Sequence, residues 1–141
     1  MIPPAFAGRR FSDFTPEEVI EDCWRAPVAG VFFGGVGMLS AVVLKVAVLA
    51  TGAFFGLSFG TALCVHMGLR YLAAQEVISW RAYHLGSATA LVLIPAASAI
   101  ALVAAGILSA PILFPTIGFA LLAASVPLTL AFIDPSDNIF N

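Results

Sequence analysis

The sequence predicts an all-α integral membrane protein: a four-helix bundle built from two transmembrane hairpins and preceded by a short amphipathic interfacial helix. Three observations carry this. First, 61% of the 141 residues are hydrophobic and 10% are charged, whereas a soluble domain is about a quarter charged. Second, the stretch from Ala26 to Leu69 holds one full charge, Lys45, and one histidine, His66. It is about twice the ~20 residues that cross a hydrocarbon core once, so it must fold back as a hairpin. Third, the remaining charges gather at positions 9–25, 70–81 and 134–137, which four alternating spans bring to one side of the membrane.

Residues 1–25 form an N-terminal arm followed by a surface helix. Pro3, Pro4, Gly8 and the Arg9–Arg10 pair make the first part irregular, and Met1 to Phe14 shows neither a transit-peptide nor a signal-peptide pattern. Thr15-Pro16-Glu17-Glu18 then supplies a threonine N-cap, proline at the first helical position and glutamate at the third, the pattern of a capping box. In the next turns Val19, Ile20, Cys23 and Trp24 share a side, with Glu17, Glu18, Glu21, Asp22 and Arg25 opposite. Such a helix lies on a membrane with Trp24 at headgroup depth.

Residues 26–133 form the transmembrane domain, with spans expected at about 27–49, 53–73, 85–108 and 111–133. Ala50-Thr51-Gly52 is the best turn between the first two, and Leu44-Lys45-Val46 is the alternative. Trp80 and Tyr83 are expected as further interface anchors before the third span. Pro95 and Pro127 lie inside spans three and four and should kink them. Ser109-Ala110-Pro111 makes the tight turn between those spans, and residues 134–141 leave a polar tail.

Within the first hairpin Gly52, Gly56, Gly60, Cys64 and Gly68 recur every four residues, preceded by the looser set Gly30, Gly34, Gly37 and Ala41. That spacing puts small residues on one helix face and permits near backbone contact with another helix, either within this chain or in another subunit. His66 and His84 fall near one membrane surface at the junction of spans two and three. Such a pair could ligate haem or serve a quinone, and interfacial histidines also simply hydrogen-bond headgroups or backbone. Cys23 and Cys64 are the only cysteines; one near the interface and one inside a span, they are not expected to form a disulfide. No carboxylate or cysteine cluster completes a metal site, and no basic block suits nucleic acid.

Two resemblances follow from particular residues. Pro27-Val28, Phe33-Gly34, Gly37-Met38 and Ser40-Ala41 resemble the first span of a small fumarate reductase membrane anchor. Tyr83-His84 followed by Leu93-Ile94-Pro95-Ala96 is similar to the entry of a succinate dehydrogenase anchor into a span. Asp22-Cys23 before a glycine-rich span, then Gly52-Ala53-Phe54-Phe55-Gly56-Leu57 with Cys64 and His66, resembles the Tim-type translocase group, which includes a complex I accessory subunit. Both resemblances imply the mitochondrial inner membrane or, alternatively, a bacterial one.

The expected role is that of a non-catalytic accessory or anchor subunit, with other membrane subunits and the lipid bilayer as partners. Bound phospholipid is expected, and no cofactor of its own. The alternatives are a quinone- or haem-supporting anchor, which would use His66 or His84, and a small carrier or translocase component. Arg9, Arg10, Arg25, Arg70 and Arg81 all fall on the side that holds both termini, so the positive-inside rule places that side in the matrix or cytosol.

Overall fold

A computed structural model describes residues 13–133. The N-terminal arm with Arg9 and Arg10, and the polar tail at 134–141, lie outside the described residues. All regular structure in that range is helical: α1 (Pro16–Asp22), α2 (Arg25–Leu44), α3 (Val48–Ala74), α4 (Trp80–Ala104) and α5 (Leu113–Ile133), the last entered through a 3₁₀ turn at Ala110–Ile112. Helices α2 to α5 are each long and apolar enough to cross a membrane. Large side chains such as Val31, Val43, Leu49 and Phe114 stand 78–83% exposed, which only a lipid environment tolerates on this scale. The chain is an integral membrane four-helix bundle.

The capping box at Thr15 is complete. Glu18 donates its backbone N–H to the Thr15 side chain, and the Glu18 carboxylate accepts from the Thr15 N–H at 2.9 Å. The helix it starts packs on α3 through one side and leaves the other outward. Val19 is fully buried in a cluster with Ala26 and Met67, while Ile20 and Trp24 point outward at 59% and 60% exposure. The apolar side of α1 is thus divided between α3 and the exterior.

The turn between the first two spans falls at Lys45–Ala47, and α3 runs unbroken through Ala50-Thr51-Gly52. Glycine at 52 serves helix packing, not chain reversal. Reversal comes from Lys45 at φ 54°, in the left-handed region, with the Val46 N–H reaching back to the Ala41 carbonyl at 3.0 Å. That six-to-one hydrogen bond is the Schellman closure of a helix. The same device ends the next two spans. Glu76 (φ 61°) is followed by a Val77-to-Leu72 bond, and Gly106 (φ 72°) by an Ile107-to-Leu102 bond, both 2.9 Å. So α4 starts at Trp80 rather than near 85, capped by the Ser79 side chain, and stops at Ala104 rather than 108.

The four spans pack in sequence, α2 on α3, α3 on α4 and α4 on α5. Phe55, Phe59 and Ile112 form a fully buried centre toward the Lys45 end. Phe33 stacks on Phe59 with ring centroids 4.5 Å apart, and Phe119 meets Phe55 edge-on at 6.3 Å. Thr116, Ala120, Ala124, Pro127 and Ala131 form the buried stripe of α5. Pro95 is buried on α4.

Candidate functional site

Helix α3 presents two different sides to its neighbours. Toward α2 it offers glycine. A Cβ built on Gly56 would sit 3.1 Å from the Gly30 carbonyl oxygen and 3.5 Å from the Gly34 Cα; one on Gly30 would sit 3.3 Å from the Gly56 carbonyl oxygen and 3.6 Å from the Gly60 Cα. Gly34 in turn faces the Gly52 carbonyl at 3.5 Å. Backbone therefore meets backbone over Gly30, Gly34, Gly52, Gly56 and Gly60, inside this chain. At Gly68 a Cβ would meet nothing within 4 Å, and Gly68 lies outside that seam. Gly37, on the next turn of α2, makes room for the Phe55 side chain, whose Cβ would be 2.6 Å from a Cβ at 37.

Toward α4 the same helix offers polar side chains. His66 Nδ1 lies 2.9 Å from Ser87 Oγ, and His66 Nε2 lies 3.2 Å from the Tyr83 hydroxyl. A neutral imidazole satisfies both contacts by donating from one ring nitrogen and accepting at the other. Tyr83 and Ser87 are four residues apart, so α4 presents both on one face, and Ser87 is fully buried. The His84 ring, 1% exposed, lies against the other side of Tyr83 with centroids 4.7 Å apart. Trp80 meets Tyr83 edge-on at 5.5 Å.

Trp80 and Tyr83 are therefore interior residues, at 7% and 3% exposure, and not headgroup anchors. Helix α4 begins earlier than the apolar run suggests, so both residues lie on the helix, and the Tyr83 hydroxyl faces His66 of α3. Trp24 and Phe132 are exposed aromatics at this end, at 60% and 72%.

One turn beyond His66, the Arg70 guanidinium pairs with Asp22 of α1 at 3.2 Å and covers the Phe14 ring at 4.6 Å. Arg25 shares the same carboxylate at 3.3 Å. Arg70 is 9% exposed, and an arginine this buried needs a carboxylate partner. Asp22 thus latches the short helix to α3. At the adjoining corner Arg81 lies 5.8 Å from the Phe132 ring, which brings the end of α5 beside the start of α4.

Chemically, the Ser87–His66–Tyr83 chain can pass a proton from one end to the other by switching the imidazole tautomer. It is not a nucleophile–base pair for an external substrate, because Ser87 has no exposed surface. Nor does His66 fit an axial haem ligand in this arrangement, since both ring nitrogens are engaged. Reading the sequence missed Ser87 and the Asp22–Arg70 latch. The four-residue Tyr83–Ser87 spacing was the available signal for the first. Nothing short of the fold reveals the second, which joins residues 48 apart. Compared with protein-family models, curated proteins and solved structures, the chain matches none of them.

Proposed function

We propose that this protein is a non-catalytic accessory or membrane-anchor subunit that scaffolds a multi-subunit energy-converting complex of the mitochondrial inner membrane or a bacterial one. The observation that carries this reading is the bareness of α2. Only 11% of its apolar window is buried within the chain, against 39% for α3, and Val31, Phe32, Leu39, Val42 and Val43 stand outward at 62–79% exposure. Helix α2 is fixed to the bundle along one glycine seam and leaves the rest of its circumference for other membrane subunits and phospholipid. The intramembrane polar groups, His66, Tyr83 and Ser87, are used to hold helices together, which supports a structural role.

The clustering of Arg25, Arg70 and Arg81 at one end, with Lys45 at the other, supports a matrix or cytosolic position for the α1 end. Purification of the tagged chain in mild detergent tests the reading. A high-mass assembly with a reproducible set of membrane subunits is expected. Migration as a lone monomer under conditions that preserve other complexes of the same membrane overturns it.

A further inference from the structure

The chain has two cysteines and three methionines. Both cysteines and one methionine line a single groove. Cys23, Cys64 and Met67 border an open cleft of about 380 Å³ between α1 and α3, lined also by Ile20, Ala26, Gly68 and Tyr71. Both cysteines are free and exposed. The register of the glycine seam accounts for this convergence. Gly34 lies opposite Gly52 and Gly56, and Gly30 lies opposite Gly56 and Gly60. Continued toward the N-terminus, that register brings Cys23 level with the turn that carries Cys64 and Met67. The Cys23 thiol leans on the Val19 carbonyl at 3.4 Å, and Val19 is the residue by which α1 packs against Met67. Cys64 and Met67, three apart, share a side of α3.

We propose that this groove binds a soft monovalent metal ion, Cu(I), between the thiolates of Cys23 and Cys64 with the Met67 thioether as a third ligand. Thiolate and thioether sulfur select Cu(I) over hard cations. No group of three His, Cys, Asp or Glu side chains gathers among the described residues, so an oxygen- or nitrogen-preferring divalent ion lacks a donor set here. On binding, each thiol releases its proton to solvent, two Cu–thiolate bonds form and the copper stays in the +1 state. The site joins α1 to α3 beside the Asp22–Arg70 latch, so occupancy would also fix the short helix.

The test is titration of the purified full-length protein, kept reduced with a phosphine, against the coloured Cu(I)–bicinchoninate complex. One equivalent of Cu(I) should be withdrawn. Loss of an outer-shell partner alone typically lowers metal affinity about 10–100-fold, so Cys23→Ser and Cys64→Ser should each weaken binding at least tenfold and to a similar level. Met67→Leu should weaken it less, and Zn(II) offered in the same way should not be retained. No withdrawal by the wild-type chain, or an affinity indifferent to Cys64→Ser, overturns the proposal. X-ray absorption of the Cu(I)-loaded wild type is independent of any variant's folding. Two or three sulfur neighbours are expected, and a nitrogen or oxygen shell overturns the assignment.

Discussion

The two sides of α3 solve one problem by opposite means. Along α2 the middle of the crossing carries no side chain, and at Gly30, Gly34, Gly56 and Gly60 backbone meets backbone, with Phe55 and Met38 filling the space beyond. Along α4 the helices are held by side chains, through His66 to Tyr83 and Ser87. In lipid there is little hydrophobic drive between helices, because acyl chains are as apolar as leucine. A helix pair must therefore gain either dispersion from close approach or hydrogen bonds that lipid cannot offer. The first is spread over a whole crossing and depends on the absence of atoms. The second is concentrated in three residues and depends on their presence. The two seams should consequently fail differently when residues change.

The largest effect is expected from Gly56→Leu. Its Cβ alone would press on the Gly30 carbonyl at 3.1 Å, and backbone cannot step aside as a side-chain tip can. Overpacking of this kind costs about 1–3 kcal/mol or more, and here it forces α2 off α3 along its length. Steric-trap or thermal unfolding in detergent should show the loss. Gly68→Leu, where a Cβ meets nothing within 4 Å, is the control. Equal damage from both variants would mean that the seam is not the tight contact of the hairpin.

On the other side, His66→Leu removes two hydrogen bonds and strands the fully buried Ser87 hydroxyl. Hydrogen bonds between membrane helices average about 0.6 kcal/mol, with some near 1.7, so a total loss of about 1–2 kcal/mol is expected. Ser87→Ala removes one bond and should cost about half as much. Because the α4 seam is a set of discrete bonds, a His66→Leu, Ser87→Ala double variant should be little worse than His66→Leu alone. A double-mutant cycle in detergent measures this, and strict additivity would show that the two side chains act independently.

Much of the bundle can be read in the sequence. Charge sparsity and the length of apolar runs specify four spans, and Thr15 to Glu18 specifies where α1 starts. The small-residue period marks α3 as a packing helix, but not which neighbour it meets, since α2 and a foreign helix would demand the same residues. The turns are harder to read because two of three left-handed closures use Lys45 and Glu76, where turn chemistry favours glycine. Gly52, meanwhile, invites a turn and instead serves packing. Trp80 and Tyr83 mislead for a related reason. An aromatic pair ahead of an apolar run has the composition of an interfacial belt, whereas the early start of α4 places both residues on the helix, where they are buried. The polar cluster around His66 depends on the relative rotation of α3 and α4, which no local pattern encodes.

The two left-handed residues allow the smallest and sharpest test, because the α2–α3 and α3–α4 seams are closed by the same turn. A non-glycine residue in this region costs roughly 1–2 kcal/mol. Glycine removes that strain but gives back about 0.5–1 kcal/mol through the added freedom of the unfolded chain. The remainder is modified by the helix dipole, whose negative end lies at each turn and interacts with exposed charge by about 0.3 kcal/mol or a little more. Lys45 is favourable at the end of α2, so Lys45→Gly loses that term and should leave stability nearly unchanged. Glu76 is unfavourable at the end of α3, so Glu76→Gly gains it and should stabilise by somewhat under about 1 kcal/mol. Unfolding of the two variants side by side gives the difference directly. If Lys45→Gly were the more stabilising, the turns would not be equivalent, and part of the contrast assigned to the seams would belong to the loops that close them.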